Sequence, residues 1–393
     1  MAERAELAEP VEPAQPAEKR VTWAELFFDL VFVFAVTQVS ALLHHDHSWA
    51  GVGRALVVFV PVWWAWVGTT IHANTHDVDR PLDRLGIFAV GLGSLFMALG
   101  LTDPYGAYGV LFGASYWALR LVLAALVFRG PRLSVNAFSV ALFVTGPLLL
   151  IGGLLDGGAR VAVWAVAALI DLAVPRLTRR KLALVHFEPA HLPERFGLFV
   201  IVALGESIVA LGVGAEVALT VGVGAAAVLG VVLVSELWWI YFDIVAIANV
   251  RRLVNAPVGR AQNELARDVY SYLHFPLVAG IVIAAVGLHE TLAHVGDPLH
   301  DVPAFALLGG VAIYLLGHVA LRWRGAHSVN WRRLGLAALL LALYPVALEL
   351  ASLAILALIT VLLGALIAIE TRGYGEGRIR VRHAFDQQDF ELR

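Results

Sequence analysis

The chain has 393 residues, 60% hydrophobic and only 15% charged, with a formal net charge of -3 and a mean hydropathy of +0.78. Soluble domains run at roughly 45–50% apolar and about 25% charged, so a water-soluble globule, a disordered chain and a nucleic-acid binder are all excluded. Zero cysteines exclude a disulfide scaffold, a thiolate metal site and a cysteine nucleophile.

Residues 1–20 are rich in Pro, Ala and Glu and read as a disordered polar tail, without the basic start and apolar run of a secretory signal. Twelve apolar stretches separated by short polar breaks follow, at about 23–43, 52–72, 84–101, 107–128, 135–155, 160–175, 195–214, 218–245, 268–289, 303–321, 333–349 and 352–370. Each suits a bilayer-spanning helix, so an all-α polytopic integral membrane protein is expected. The weakest break is LELAS, between the last two. The basic residues decide between eleven and twelve spans. With twelve spans and a cytoplasmic amino terminus, 25 of the 28 Lys and Arg fall on the cytoplasmic side, Arg195, Arg267 and Arg333 among them. Only Arg54 and Arg160 lie on the other side, and Arg120 is inside a helix. This asymmetry predicts both termini in the cytoplasm of a cell-membrane protein.

The halves resemble each other, which predicts two parallel six-helix repeats, 21–181 and 182–371, before a cytoplasmic tail at 372–393. Trp63-Trp64 leading to Asn74 matches Trp238-Trp239 leading to Asn249. The stretch from Glu25 matches that from Glu194, and Arg132 leading to Pro147 matches Arg333 leading to Pro345.

Ionisable residues within spans are the candidates for function, because each is costly to place there. Glu25 has capping-box spacing from Thr22, and Asp29 lies one turn deeper on the same face. Glu206, near the middle of the seventh helix beside Gly205 and Ser207, suits proton exchange or permanent pairing with Arg120. Glu236 and Asp243 are two turns apart on the eighth helix, Glu236 read as a pathway residue and Asp243 as a solvated rim. Asp171 is expected to pair with Arg176 and Arg179. Tyr116 with Arg120, and Tyr314 with His318, share i,i+4 spacing, which makes positions 120 and 318 repeat equivalents. Gly222, Gly224 and Gly230 read as helix-packing faces. His274 reads as a core residue.

Two polar clusters fall outside the spans. One holds His72, Asn74, His76, Asp77 and Asp79. The other, on the opposite face, holds His44, His45, Asp46 and His47, with His289, Glu290, His294, Asp297, His300 and Asp301. Solvated loop composition is favoured for both over metal binding or pH sensing, so no metal or other cofactor is expected. No hydrolase, P-loop or dinucleotide motif stands in a credible context, so the chain is not expected to be an enzyme.

The stretches ELFFDLVFVFAVTQVS, WWAWVGTTIHANTHDVDRPLDR and ERFGLFVIVALGESIVALG resemble the bacterial low temperature requirement A family of multi-pass membrane proteins. The resemblance covers about residues 20–370 and singles out Glu25, Phe28, Asn74, Asp77, Asp79, Glu194 and Asn249. It implies a membrane protein connected with growth in the cold and no settled biochemical activity. A weaker similarity, through Phe27, Asp29, Val31 and Phe32, is to FSD-motif potassium channels, although Phe-Phe-Asp replaces Phe-Ser-Asp and the second half has no matching Asp. The expectation is proton- or cation-coupled transport of a small solute across the lipid bilayer, with Asp29, Arg120, Glu206, Glu236, Asp243 and His318 in the pathway and homo-oligomerisation open. The alternatives are a cation or proton channel, or a non-transport membrane protein in envelope adaptation.

Overall fold

In a computed structural model, residues 19–128, 136–178, 187–215 and 220–373 are described. Most of the amino-terminal tail, Arg129, Arg132, Arg179, Arg180, Lys181 and the carboxyl tail lie outside them. The described residues form twelve apolar helical segments in the expected order and no strands, apart from an isolated bridge between Pro298 and Ala351. We number them α1 (Trp23–His45), α2 (Trp49–Thr75), α3 (Pro81–Gly100), α4 (Gly109–Val127), α5 (Ala137–Gly153), α6 (Gly157–Leu177), α7 (His191–Gly214), α8 (Val221–Val254), α9 (Arg260–Ala293), α10 (Asp301–Ala326), α11 (Trp331–Ala342) and α12 (Ser352–Gly373).

Ten of these are long and apolar enough to cross a bilayer. The other two are α5 and α11, and each is interrupted near a proline. In α5 a π-helical turn at Ala141–Thr145 precedes Gly146-Pro147. In α11 the helix stops at Ala342 and restarts as a single turn, Tyr344–Ala347, carrying Pro345. Proline lacks the N–H that would continue the ladder, so a break at these points follows from the sequence. LELAS does separate the last two spans: Ser352 opens α12, and its hydroxyl donates to the His294 carbonyl at 2.6 Å.

The long helices overrun their expected limits. α9 begins at Arg260 and passes through a π-helical turn at Arg267–Tyr272 before Pro276, while α8 is broken at Asp243 and resumes as Val245–Val254. α2, α9 and α10 are the most enclosed helices, and α1 packs against α2, α3 and α7. Large apolar side chains such as Leu92, Phe96, Val228 and Leu169 point outward, as they do on helices that face lipid.

Hydrocarbon offers no hydrophobic drive for helices to associate, so close backbone approach through small residues matters more than in water. The α9–α10 crossing shows this. A Cβ on Gly310 would fall 2.4 Å from the Ala284 nitrogen, and one on Gly287 would fall 2.4 Å from the Leu307 nitrogen. Backbone cannot yield as a side-chain tip can. Gly310→Ala is therefore expected to destabilise by about 1–3 kcal/mol, the usual cost of overpacking. Thermal unfolding in detergent reads this out against Gly205→Ala, which is expected to be neutral or slightly stabilising. Gly224 was expected at a helix contact, yet a Cβ there, as at Gly205, meets nothing within 4 Å. Gly230, against Leu211, and Gly222, against Val295, are the packed members of that stretch.

Candidate functional site

The three stretches that carry the family resemblance converge on one buried polar knot joining α1, α2 and α7. Thr22 caps α1, and its side chain and that of Glu25 form the expected capping box. Glu25 is only 1% exposed, however, and does more than cap. Its Oε2 lies 3.1 Å from His191 Nε2 and 3.4 Å from Arg195 Nε. Arg195 holds Asp29 with a two-pronged grip, Nη1 to Oδ2 at 2.6 Å and Nη2 to Oδ1 at 2.8 Å. The Trp66 indole N–H donates to Asp29 Oδ1 at 2.8 Å.

Asn74 completes the knot. Its amide donates to the Glu188 carbonyl at 2.8 Å and accepts from the Glu188 N–H at 3.0 Å. It also lies 3.2 Å from His191 Nδ1. With that nitrogen accepting from Asn74, the imidazole proton sits on Nε2 and points at Glu25. Arg195 and His191 are fully buried.

Arg195 therefore does not lie in a solvated cytoplasmic link, where the charge pattern had placed it. Arg160 is likewise no loop cation: it is 4% exposed and donates to the carbonyls of Leu155, Pro104 and Gly106. Arg120 is thus not the sole deeply placed Arg. Glu194, the expected counterpart of Glu25, points outward, and the residue beside it does the binding.

The other motif residues have local roles. Phe28 is buried against Phe32, with ring centroids 4.9 Å apart. Asp77 and Asp79 are exposed and shape the α2–α3 link: Asp77 accepts from the Asp79 N–H at 3.1 Å and Asp79 pairs with Arg84 at 3.0 Å. Just before α1, the Lys19 ammonium donates to the Ala73, Asn74 and His76 carbonyls at the end of α2. Burial there pushes its pKa below the ordinary lysine value, against the pull of Glu25, Glu188, Asp77 and Asp79. His72 and His76 stack with centroids 4.6 Å apart, and His72 Nε2 lies 4.0 Å from Asp83.

Besides a cavity of about 620 Å³ between the start of α1 and the end of α2, two reach in among the helices at the face where α2, α4 and α6 end. The first, about 680 Å³, lies among α2, α4, α5, α6 and α9, with Trp64, Arg120, Asn136 and Asp171 on its wall. Arg120 donates to the Tyr116 hydroxyl at 2.9 Å, which donates to Asp171 Oδ2 at 2.6 Å; Thr145 donates to Asp171 Oδ1 at 2.9 Å. Asp171 thus belongs to this chain of bonds, not to Arg176. Arg120 Nε is buried without a hydrogen-bond partner among the described residues. The second cavity, about 350 Å³, lies among α8, α10, α11 and α12, with Trp239, Asp243, Asn249, His318, Arg333 and Glu370 on its wall. Arg333 grips Glu370 at 2.7 Å, whereas both ring nitrogens of His318 are buried without a hydrogen-bond partner among the described residues. Asp243 is 7% exposed and lines this cavity, so it is no solvated rim.

Residues 20–368 match the family described as bacterial low temperature requirement A protein. The chain belongs to that family. An uncharacterized protein of Rhizobium meliloti (strain 1021), RA0937, is 30% identical over 315 residues, covering 76% of each chain. No solved structure matches.

The remaining candidates do not form one central pathway. Glu206 is buried on α7, with Thr37 of α1 donating to its Oε2 at 2.5 Å, and does not meet Arg120. Glu236 sits at α12, its Oε1 3.0 Å from where a Cβ on Gly364 would be. The two acids face different helices. His274 is a satisfied core residue, 2.8 Å from both the Tyr241 hydroxyl and the Val269 carbonyl. What sequence reasoning missed was the His191/Arg195 pair. Its i,i+4 spacing mirrors that of Glu25/Asp29, a signal that two bases could face two acids.

Proposed function

We propose that this chain is a solute carrier of two six-helix repeats, each holding one solute-sized cavity open to the cytoplasm. One observation carries the reading. The fifth helix of each half, α5 and α11, is the short one interrupted at a proline, and the amino-terminal end of each lines one of the two cavities. Interrupted helices at matching places in two repeats mark binding sites in secondary transporters. Further correspondences support the repeat. Asn136 caps α5 by accepting from Ser139, and Asn330 caps α11 by accepting from Arg333. Trp64 and Trp239, Arg120 and His318, and Asp171 and Glu370 occupy like helices around the two cavities. The symmetry is incomplete, since Trp63 is buried whereas Trp238 is exposed.

The open face carries the excess of Lys and Arg, which makes it cytoplasmic along with both termini. In the larger cavity the Arg120 guanidinium, on the wall, suits a solute with an acidic group. Glu206 has no basic partner within ion-pair distance among the described residues and is our candidate for the proton or cation step. Asp29, held by Arg195 and Trp66, is not free to line an ion pore, so nothing favours the channel reading over the carrier.

The test is flux in proteoliposomes with a trapped pH dye, offering amino acids and monocarboxylates with and without a pH gradient. Solute-dependent proton movement is expected from the wild type, and at least a tenfold loss with Glu206→Gln. Identical traces from wild type, Glu206→Gln and empty liposomes across the panel would remove the carrier reading.

A further inference from the structure

On the face opposite the two cavities, histidines from separate parts of the chain gather around one carboxylate. His44 ends α1, and His47 follows it in the link to α2; His289, Glu290 and His294 end α9. His44 Nδ1 and His47 Nε2 each lie 3.6 Å from Glu290 Oε1. His289 Nε2 is 4.0 Å from the same oxygen, and His294 Nδ1 is 3.5 Å from Oε2. Each of these contacts is 3.5 Å or longer, and among the described residues His44 Nδ1 is buried without a hydrogen-bond partner. The ligand atoms of His44, His47 and Glu290 all lie within 4.8 Å of one another.

Those spacings suit a shared ion better than direct bonding. With metal–nitrogen distances of about 2.0–2.1 Å, tetrahedral ligand atoms stand about 3.3 Å apart, so a bound ion would draw the two histidines in from 3.6 Å at Glu290 and from no more than 4.8 Å between any two ligand atoms. The carboxyl ends of α1 and α9 both terminate here, and their dipoles favour a cation. Nearby Asp46 is already committed to Ser48 and Arg54, whose hydrogen bonds hold its carboxyl below the ordinary value.

We propose that His44, His47 and Glu290, with His294 or His289 as fourth ligand, form a binding site for a divalent transition metal ion such as Zn²⁺. Imidazole with one carboxylate suits zinc and its first-row neighbours, whereas Mg²⁺ and Ca²⁺ take all-oxygen sets. The site ties the end of α1 to the end of α9 and does not depend on the transport reading.

The experiment uses the full-length protein in detergent with any affinity tag removed, titrated with ZnCl₂ and with MgCl₂ by calorimetry and thermal melting. One Zn²⁺ per chain and a raised melting temperature are expected, with no response to Mg²⁺. Glu290→Gln and His47→Ala are each expected to weaken Zn²⁺ binding at least tenfold, since even residues behind the ligands cost that much. His47 is exposed, so its loss leaves the fold intact. His45→Ala, exposed at the same helix end, is expected to bind as the wild type does. Absence of binding, equal binding by His47→Ala, or equal loss with His45→Ala would overturn the site and leave a water-bridged histidine cluster.

Discussion

Replacing Arg195 with leucine is expected to destabilise the protein by about 3–5 kcal/mol, the cost of stripping one partner from a buried ion pair. The physical reason lies in what stays behind. Asp29 would keep only the Trp66 indole, and Glu25 would keep His191 and the Thr22 cap, with both carboxylates buried. Arg195→Lys is expected to recover only part of the loss. One ammonium cannot hold both Asp29 oxygens while reaching Glu25, as the planar guanidinium does. The paired change Asp29→Asn with Arg195→Gln removes both charges together and is expected to be milder than Arg195→Leu alone, because buried pairs cost most when halved. Thermal melting followed by tryptophan fluorescence suits the measurement, since Trp66 touches the pair. Equal melting temperatures for wild type and Arg195→Leu would show that the knot contributes nothing to stability.

The order of the helices was legible because apolar run length answers directly to the bilayer. All twelve helices stand in order, and the errors were at their ends, where π turns and proline breaks alter length without altering hydropathy. The sites were legible only where partners sit on one helix. The Thr22/Glu25 capping box and the Tyr116/Arg120 contact follow from spacing alone. Asp29 with Arg195, and His44 with Glu290, are joined across long stretches of chain. The sequence supplies their chemistry but not their meeting. Arg195 was misplaced for a further reason: at the border of an apolar run, an arginine that enters the protein looks the same as one that enters water. Glu206 and Glu236 show the converse, since two acids on successive helices can still face different neighbours.

Arg120 should separate stability from solute handling. Arg120→Ala is expected to cost less stability than loss of Arg195, because Asp171 keeps its hydrogen bonds from Tyr116 and Thr145 and lines a cavity that reaches the open face. Arg120 is also pressed against its surroundings, its Nη1 lying 2.6 Å from where a Cβ on Gly68 would be, so truncation leaves a void beside α2. On the carrier reading, solute affinity falls much further in proportion. A charge-assisted hydrogen bond contributes about 1.5–3 kcal/mol, or roughly ten- to a hundredfold in affinity. The double variant Arg120→Ala with Asp171→Asn removes the stranded charge and is expected to melt closer to the wild type while transporting no better than Arg120→Ala. If transport returned together with stability, the Arg120–Tyr116–Asp171 chain would be scaffolding and the solute would bind elsewhere. If melting recovers and flux stays low, the guanidinium itself is what the solute meets.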